Sequence, residues 1–109
     1  MTTDRLRPTY RLEDLWAAVD EERCIFHAGA RDGRNALDLT EEDSDLCLKS
    51  LSKEVFVKSS ADRMGRRGVF HDVYRTVWEG RPIYVKFFRL ETSQPFIISS
   101  FKRDTDADL

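Results

Sequence analysis

Two stretches in the C-terminal half of the sequence alternate polar and apolar residues. In the run Ile-Tyr-Val-Lys-Phe, Tyr84 and Lys86 stand between three apolar residues. Successive side chains of a strand point to opposite faces, so these two polar residues share one face and the apolar residues share the other. The same rule places His71 and Arg75 on a common face of the preceding stretch. The pattern predicts an open strand face that carries an imidazole, a phenol and cations.

More positive charge lies near this face in the sequence. Alternation turns Lys58 away from the valine before it and Lys102 away from the phenylalanine before it. Arg63, Arg66 and Arg67 lie in a glycine-containing loop just before the strand that carries the imidazole. From that position they can contact the phosphates of a nucleic acid.

This set of residue types suits the cleavage of RNA without a metal ion. The 2′-hydroxyl of RNA attacks the neighbouring phosphate when a base removes its proton, an acid protonates the departing 5′-oxygen and fixed positive charge stabilises the transition state. His71 is the natural acid or base, because an imidazole titrates near pH ~6.5. Tyr84 can donate or accept a proton through its phenol. The positive charge can come from Lys58, Arg75, Lys86 and Lys102.

Each of these residue types also has a purely structural interpretation. A histidine on a strand is often partly buried, and a tyrosine often packs on a sheet face. A lysine on an edge strand protects that edge from pairing with another chain. The spacing alone leaves the chemical and structural interpretations open.

The charges of the chain are distributed unevenly. Residues 53–103 carry 11 Lys and Arg and 5 Asp and Glu, whereas the rest of the chain carries 7 and 15, so charges of +6 and −8 sum to −2. A basic half suits a polyanion, because each phosphate that a cation neutralises releases counterions. The alternative is a solvated charged surface, since 35% of the residues are charged.

Length and composition predict one domain. A chain of 109 residues, 40% of them hydrophobic, can bury one core, which we expect over residues 1–103, followed by a frayed acidic tail over residues 104–109. No apolar run approaches the ~18 residues of a membrane helix, so we expect no membrane association and a cytoplasmic location. The two cysteines lack metal-ligand spacing, and the sequence predicts neither a metal site nor a cofactor.

The N-terminal half predicts a first amphipathic helix. Leu12, Leu15, Trp16 and Val19 recur at helical spacing, and Thr9 is a candidate cap. At this spacing we expect Trp16 to pack in the core.

A second helix is predicted after a break. Residues 29–35 contain two glycines, which favour a turn or an irregular link. The sequence Thr40-Glu41-Glu42-Asp43 resembles a capping box and predicts that a helix begins there.

Short apolar runs after residue 53 predict four strands. We place them near residues 54–59, 69–76, 82–90 and 95–102, between breaks that contain glycine or proline. Helices followed by antiparallel strands predict an α+β fold, with the N-terminal helices packed on one face of a mainly antiparallel sheet.

Several short motifs follow one another in a definite order. The C-terminal ones are Val55-Phe56-Val57-Lys58-Ser59, Phe70-His71-Asp72-Val73-Tyr74-Arg75, Ile83-Tyr84-Val85-Lys86 and Ser99-Ser100-Phe101-Lys102. The N-terminal ones are Arg7-Pro8-Thr9-Tyr10-Arg11-Leu12 and Leu37-Asp38-Leu39. In order and spacing these motifs resemble the MqsR toxin family over most of the chain.

The resemblance implies an endoribonuclease toxin with a RelE-like α+β fold that cuts messenger RNA without the ribosome. It also implies neutralisation by a zinc-binding, DNA-binding antitoxin of the MqsA type, so that any zinc belongs to that partner. The functional positions of the family fall on Lys58, His71, Tyr84 and Lys102. The family pattern has glutamine where His71 stands. Either His71 is an acid or base here, or it positions RNA while Lys58 and Tyr84 act on protons.

Two other classes of function fit the same residues. The basic strands can bind RNA and repress by occupancy, without cleavage. The open sheet face can instead dock a partner protein, with the acidic half as a solubilising surface. The nuclease hypothesis requires that His71 and Tyr84 lie in one solvent-open cleft.

Overall fold

The computed structural model describes residues 4–108, which form three α-helices and a five-stranded sheet. The helices are α1 (Leu12–Asp20), α2 (Ala28–Ala36) and α3 (Glu41–Ser50). The strands are β1 (Cys24–Phe26), β2 (Phe56–Ala61), β3 (Phe70–Trp78), β4 (Arg81–Phe88) and β5 (Phe96–Arg103). The sheet order is β1-β5-β4-β3-β2, and only β1 pairs in parallel. The predicted α+β fold with a mainly antiparallel sheet is confirmed. Among these residues, no helix combines the length and apolar character that crossing a membrane requires.

Helices α1 and α3 cover one face of the sheet, the helix face. Leu15 of α1 and Leu48 of α3 are fully buried in one cluster with the sheet residues Phe87 and Phe101. Full burial of such a side chain contributes about 1.5–3 kcal/mol. Trp16 packs against the same cluster, as predicted. The helix face therefore carries the core of the domain, and we call the opposite face of the sheet the open face.

The segment that was predicted to be a turn or irregular link is a helix. Residues Ala28–Ala36 form α2, which contacts β5 next to its short pairing with β1. Gly33 lies so close to β5 that a Cβ atom there would collide with the carbonyl oxygen of Phe101. This glycine is required by close packing of the helix on the strand, and the prediction of a turn was wrong.

The two predicted helix caps have different outcomes. The capping box at Thr40 is confirmed, because its Oγ1 accepts the N–H of Asp43 at 3.1 Å and the Asp43 carboxylate accepts the N–H of Thr40 at 3.0 Å. The prediction that Thr9 caps α1 was wrong, since Arg11 occupies the capping position and the helix begins at Leu12.

A buried carboxylate joins the N-terminal segment to the sheet. Asp72 on β3 is fully buried and accepts the N–H groups of Thr9 and Tyr10 at 3.0 and 2.9 Å. Burial is the main cause that raises the pKa of Asp72, against the opposing hydrogen bonds from Ser59, Thr9 and Tyr10. Thr9 is thus an anchor of the N-terminal segment.

All four predicted strands are present, with ends that differ by a few residues. A two-residue turn joins β3 and β4, with Glu79 and Gly80 at φ values of 50° and 79°. Positive φ at both positions is the geometry of a tight hairpin turn, which the Glu-Gly break had indicated. Strand β1 was missed, because three residues are too few to show an alternating pattern.

The segment after β5, predicted to be a frayed acidic tail over residues 104–109, begins in contact with the sheet. Asp104 is buried and donates its backbone N–H to the carbonyl oxygen of Pro82 at 2.9 Å. A short 3₁₀ helix follows at Thr105–Asp108, and Leu109 lies outside the described residues.

Candidate active site

A cleft of about 180 Å³ lies on the open face of the sheet. Six of the nine predicted site residues line it, namely Lys58, Arg63, Arg66, His71, Tyr84 and Lys86. They come from three strands and from the loop between β2 and β3. His71 and Tyr84 thus share one cleft, as the nuclease hypothesis requires.

The strand register explains how residues distant in sequence meet. Arg75, Tyr84 and Lys102 lie opposite one another on the adjacent strands β3, β4 and β5. Lys58 and Lys86 lie on either side of a common residue of β3. Residues opposite one another in register share a face, so the five side chains belong to the open face.

Two irregularities in strand pairing adjust which residues face the core. The pairing of β2 with β3 shifts between Phe56 and Lys58, so Phe56 packs against the core while Lys58 lines the cleft. Val57, between them, is 39% exposed. The pairing of β4 with β5 also shifts, which lets Ile98 and Phe101, three residues apart, both be buried.

His71 is held on both sides of its ring. It is 8% exposed, with Nε2 at 2.7 Å from Asp62 Oδ1 and Nδ1 at 3.0 Å from Ser99 Oγ. Its ring packs on Phe88 at a centroid distance of 4.2 Å. Burial, the largest cause, lowers the pKa of His71, although the Asp62 carboxylate opposes it. A neutral imidazole at pH 7 is a proton acceptor.

Asp62 is a cleft residue that the sequence analysis missed. Its side chain is only 2% exposed and accepts hydrogen bonds from Nε and Nη2 of Arg66, both at 2.9 Å. The Arg66 guanidinium is the main cause that holds the pKa of this carboxyl well below its usual range. The spacing of Asp62 and Arg66, four residues apart, was the available signal. These bonds use two of the five N–H donors of the Arg66 guanidinium, so three donors remain for a phosphate.

Positive charge accumulates in the cleft. Burial lowers the pKa of the half-buried Lys86, and nearby Arg63, Lys102 and Lys58 lower it further. Within residues 4–108, Lys86 forms no ion pair, and the Lys58 ammonium lies 3.4 Å from the partly exposed carboxylate of Asp4. Mutual repulsion among cations is relieved when an anion binds between them, so the cleft suits a phosphodiester.

Three of the nine predicted residues, Arg67, Arg75 and Lys102, do not line the cleft. The Nζ atom of Lys102 is 5.4 Å from the ring centroid of Tyr84, which places this lysine at the rim. Arg75 is paired with the segment after β5, with Nη2 at 2.9 Å from Asp106 Oδ2. Arg67 is exposed in the loop before β3. The Cζ atom of Arg75 is 5.7 Å from the same ring centroid, so the structure brings both Lys102 and Arg75 to the rim of the cleft and leaves Arg67 outside it.

A larger depression of about 500 Å³ lies at the β1 edge of the sheet. Its charged lining consists of Arg31, Arg34, Glu22, Glu41 and Asp45. Carboxylates outnumber guanidinium groups there, so it does not suit a polyanion, despite its size.

Neither cysteine is in a reactive environment. Cys24 is half-buried and Cys47 is buried, both as free thiols, and burial raises the pKa of each to about 12. Such thiols stay protonated at pH 7 and are poor nucleophiles and metal ligands. In the part of the chain that the structure describes, no three His, Cys, Asp or Glu residues are grouped as a metal site.

Comparison with known families gives the site its context. The family model of the MqsR toxin, described as "Motility quorum-sensing regulator, toxin of MqsA", matches residues 7–103. This span contains all nine predicted site residues and both Asp62 and Ser99. No curated protein matches the chain. The description pairs the toxin with MqsA, which implies an antitoxin partner. Because the match covers nearly the whole chain, the chain belongs to the MqsR toxin family.

Proposed function

We propose that this toxin is a metal-independent endoribonuclease that cuts messenger RNA without the ribosome, in the cleft on the open face. The observation that supports this proposal most is the cleft itself, which brings together a neutral imidazole, a phenol and lysines. The positive charges of these lysines are not fully neutralised by nearby carboxylates. These are the acid, base and electrostatic groups that RNA cleavage needs.

The proposed reaction balances without a cofactor. A base takes the proton of the RNA 2′-hydroxyl, the 2′-oxygen bonds to phosphorus, and the bond from phosphorus to the 5′-oxygen breaks. The departing 5′-oxygen takes a proton from an acid of the cleft, which leaves a 2′,3′-cyclic phosphate and a 5′-hydroxyl. The pentavalent transition state carries extra negative charge, which fixed cations stabilise.

Roles follow from position and charge. His71, whose pKa is lowered, is the base. Tyr84 or Lys58 supplies the proton for the leaving oxygen, and Lys86 provides charge from within the cleft. Lys102 at the rim, 5.4 Å from the Tyr84 ring centroid, adds charge beside the phenol. Of the two alternatives for His71, the proposal adopts proton transfer.

The family also supports a proposal for the partner. We propose that an MqsA-type antitoxin, a zinc-binding and DNA-binding protein, neutralises the toxin, and that the zinc belongs to that protein. We also propose a cytoplasmic location, since messenger RNA, the proposed substrate, is translated there.

The test is cleavage of a defined RNA by the purified protein in the presence of EDTA, with the chemistry of both new ends determined. We expect cyclic phosphate and 5′-hydroxyl ends. Lys58→Ala should reduce cleavage by about 10²-fold, as loss of one electrostatic donor does in other enzymes. The matched control Lys53→Ala, at an exposed position in the short 3₁₀ helix Lys53–Val55, should cleave like wild type. Activity that disappears with EDTA and returns with magnesium would contradict the mechanism.

An RNA-binding module that represses by occupancy gives a different result. Such a protein leaves the RNA intact, and the effect of Lys58→Ala in cells follows the loss of affinity alone. A nuclease instead loses toxicity in that variant while it still binds RNA.

A further inference from the structure

His71, the base of the proposed reaction, has no ring nitrogen that is free to bind the substrate directly. Both ring nitrogens of His71 have hydrogen-bond partners, Asp62 on Nε2 and Ser99 on Nδ1, and Phe88 covers the ring. Any proton that moves between RNA and His71 must therefore pass through one of these partners. The side chain of Asp62 is 2% exposed and already binds Arg66, whereas Ser99 is half-buried and lines the cleft. Ser99 is the available route.

Hydrogen bonding around the ring has two complete arrangements. An ionised carboxylate only accepts, so Nε2 of His71 carries a hydrogen toward Asp62 in both. With neutral His71, Nδ1 is bare and accepts the Ser99 hydroxyl at 3.0 Å. With protonated His71, Nδ1 donates to Ser99 Oγ, and the hydroxyl donates to the carbonyl oxygen of Lys86 at 3.2 Å. The two arrangements differ by one proton on Nδ1 and by rotation of the Ser99 hydroxyl.

We propose that Ser99 carries the proton from the RNA 2′-hydroxyl to His71, and that Asp62 is a positioning residue that keeps the opposite ring nitrogen protonated. This inference rests on the proposed nuclease function. The Ser99 hydroxyl touches the substrate, so it acts as a catalytic group, and Asp62 acts through His71. Ser99 itself stays intact and forms no bond to phosphorus.

The proton transfers balance. As the 2′-hydroxyl gives its proton to Ser99 Oγ, the proton of Ser99 moves to Nδ1 of His71. The 2′-oxygen then bonds to phosphorus, and the 5′-oxygen leaves with a proton from Tyr84 or Lys58. The imidazolium returns its proton through Ser99 to water, and water reprotonates the acid, which restores the starting state.

Charged groups from several elements set the proton affinity of His71. The Asp62 carboxylate favours the imidazolium, whereas Lys86 on β4 and Arg66 in the loop disfavour it. Removal of the carboxylate therefore lowers the pKa of His71. The other titratable groups that line the same cleft are His27, Lys58, Arg63 and Tyr84.

Three serine variants of the full chain test the relay by single-turnover cleavage of a defined RNA. Ser99→Ala should slow cleavage by about 10²-fold, the usual contribution of a proton-transfer group, while affinity for 2′-O-methyl RNA stays within about twofold. Ser99→Thr keeps a hydroxyl and should recover most of the rate. Ser100→Ala, the neighbouring serine that does not line the cleft, should cleave like wild type.

A pH profile separates the relay from a structural role. The acid limb of kcat/KM reports ionisation of the base in the free enzyme, and Asp62→Asn should move that limb to lower pH. If the acid limb of kcat/KM does not move in Asp62→Asn, the proposed role of Asp62 is wrong. Full activity of Ser99→Ala, or equal losses of activity in Ser99→Ala and Ser100→Ala, would overturn the relay. If the wild type leaves RNA intact, the proposed function fails. If the wild type cuts RNA and Ser99→Ala cuts it equally well, only the relay fails.

Discussion

Two buried carboxylates, one on the open face of this sheet and one on the helix face, have opposite electrostatic behaviour. Asp62 on the open side is held by Arg66 and His71, and its pKa is lowered. Asp72 on the helix face is held mainly by backbone N–H groups, and burial raises its pKa. Burial penalises the charged form of a carboxyl group, whereas a nearby cation and hydrogen bonds to the carboxylate favour it. At Asp62 the bonds from Arg66 and His71 outweigh burial, whereas at Asp72 burial outweighs the hydrogen bonds.

The same contrast appears between neighbours in sequence. His71 and Asp72 are consecutive, yet one points into the cleft and the other anchors the N-terminal segment. The helix face builds stability from burial and satisfied hydrogen bonds. The open face gathers lysines that repel one another, an arrangement that favours binding an anion. Variants on the two faces should therefore fail in different ways.

The largest difference should appear when His71 is replaced. His71→Ala should reduce RNA cleavage by about 10²- to 10⁴-fold, because it removes the proposed base. Affinity for uncleavable 2′-O-methyl RNA should change by less than about threefold, since the cations remain. Single-turnover rates and a binding titration provide both numbers. A variant that retains near-normal rates would assign the chemistry to other residues.

On the helix face the expected loss is in stability. Asp72→Asn should lower the free energy of unfolding by about 1–3 kcal/mol, because a charged acceptor of two buried N–H groups is weakened. Cleavage per folded molecule should stay within about twofold. Denaturant titration measures the first quantity, and Asp20→Asn, which breaks an exposed ion pair with Lys49, is the matched control with an expected loss below about 1 kcal/mol. Equal losses in both variants would contradict the anchoring role.

The pH dependence of stability should differ in sign between the two carboxylates. Asp62 has a lowered pKa in the folded state, so its contribution is present above the unfolded value of ~3.9 and is lost as pH falls. Asp72 has a raised pKa, so its contribution becomes less favourable as pH rises from ~3.9 through the folded value. Unfolding free energies of wild type, Asp62→Asn and Asp72→Asn between acid and neutral pH measure both effects. The difference in unfolding free energy between wild type and variant should change with pH in opposite directions for the two variants, and a change in the same direction would refute the contrast.

The smallest expected effect is a difference in the salt dependence of RNA binding between variants of two arginines in one loop. Arg63 lines the cleft and Arg67 does not. Arg63→Ala should lower the slope of log affinity against log salt by about 1, the effect of one lost phosphate contact, and Arg67→Ala should lower it by less than half as much. Titrations of 2′-O-methyl RNA at several salt concentrations measure the slopes. A larger effect at Arg67 would place the RNA path outside the cleft.

Sequence periodicity could predict the elements whose pattern is local. The capping box at Thr40 and the alternation around Tyr84 are encoded within a few residues, and both are present in the structure. Helix α2 was missed because the glycine at position 33 is required by a contact with the carbonyl oxygen of Phe101, which is far away in sequence. A residue dictated by tertiary packing has the same local appearance as a turn residue.

The candidate site was likewise predictable only where the signal is local in sequence. Alternation identifies which lysines, histidine and tyrosine share a face, because that property is local. The hydrogen bond of Ser99 to His71 depends on the register of three strands, and a serine on a strand carries no distinguishing signal. The paired state of Arg66 depends on how the loop folds over Asp62.

The most direct test of the account is to locate bound RNA on the protein. NMR chemical-shift mapping with 2′-O-methyl RNA, which lacks the attacking hydroxyl, should perturb the resonances of Lys58, His71, Tyr84 and Ser99 and leave those of α1 and α3 unchanged. Perturbations centred on α1 and α3, with the open face unaffected, would contradict the claim that the cleft is the site of RNA cleavage.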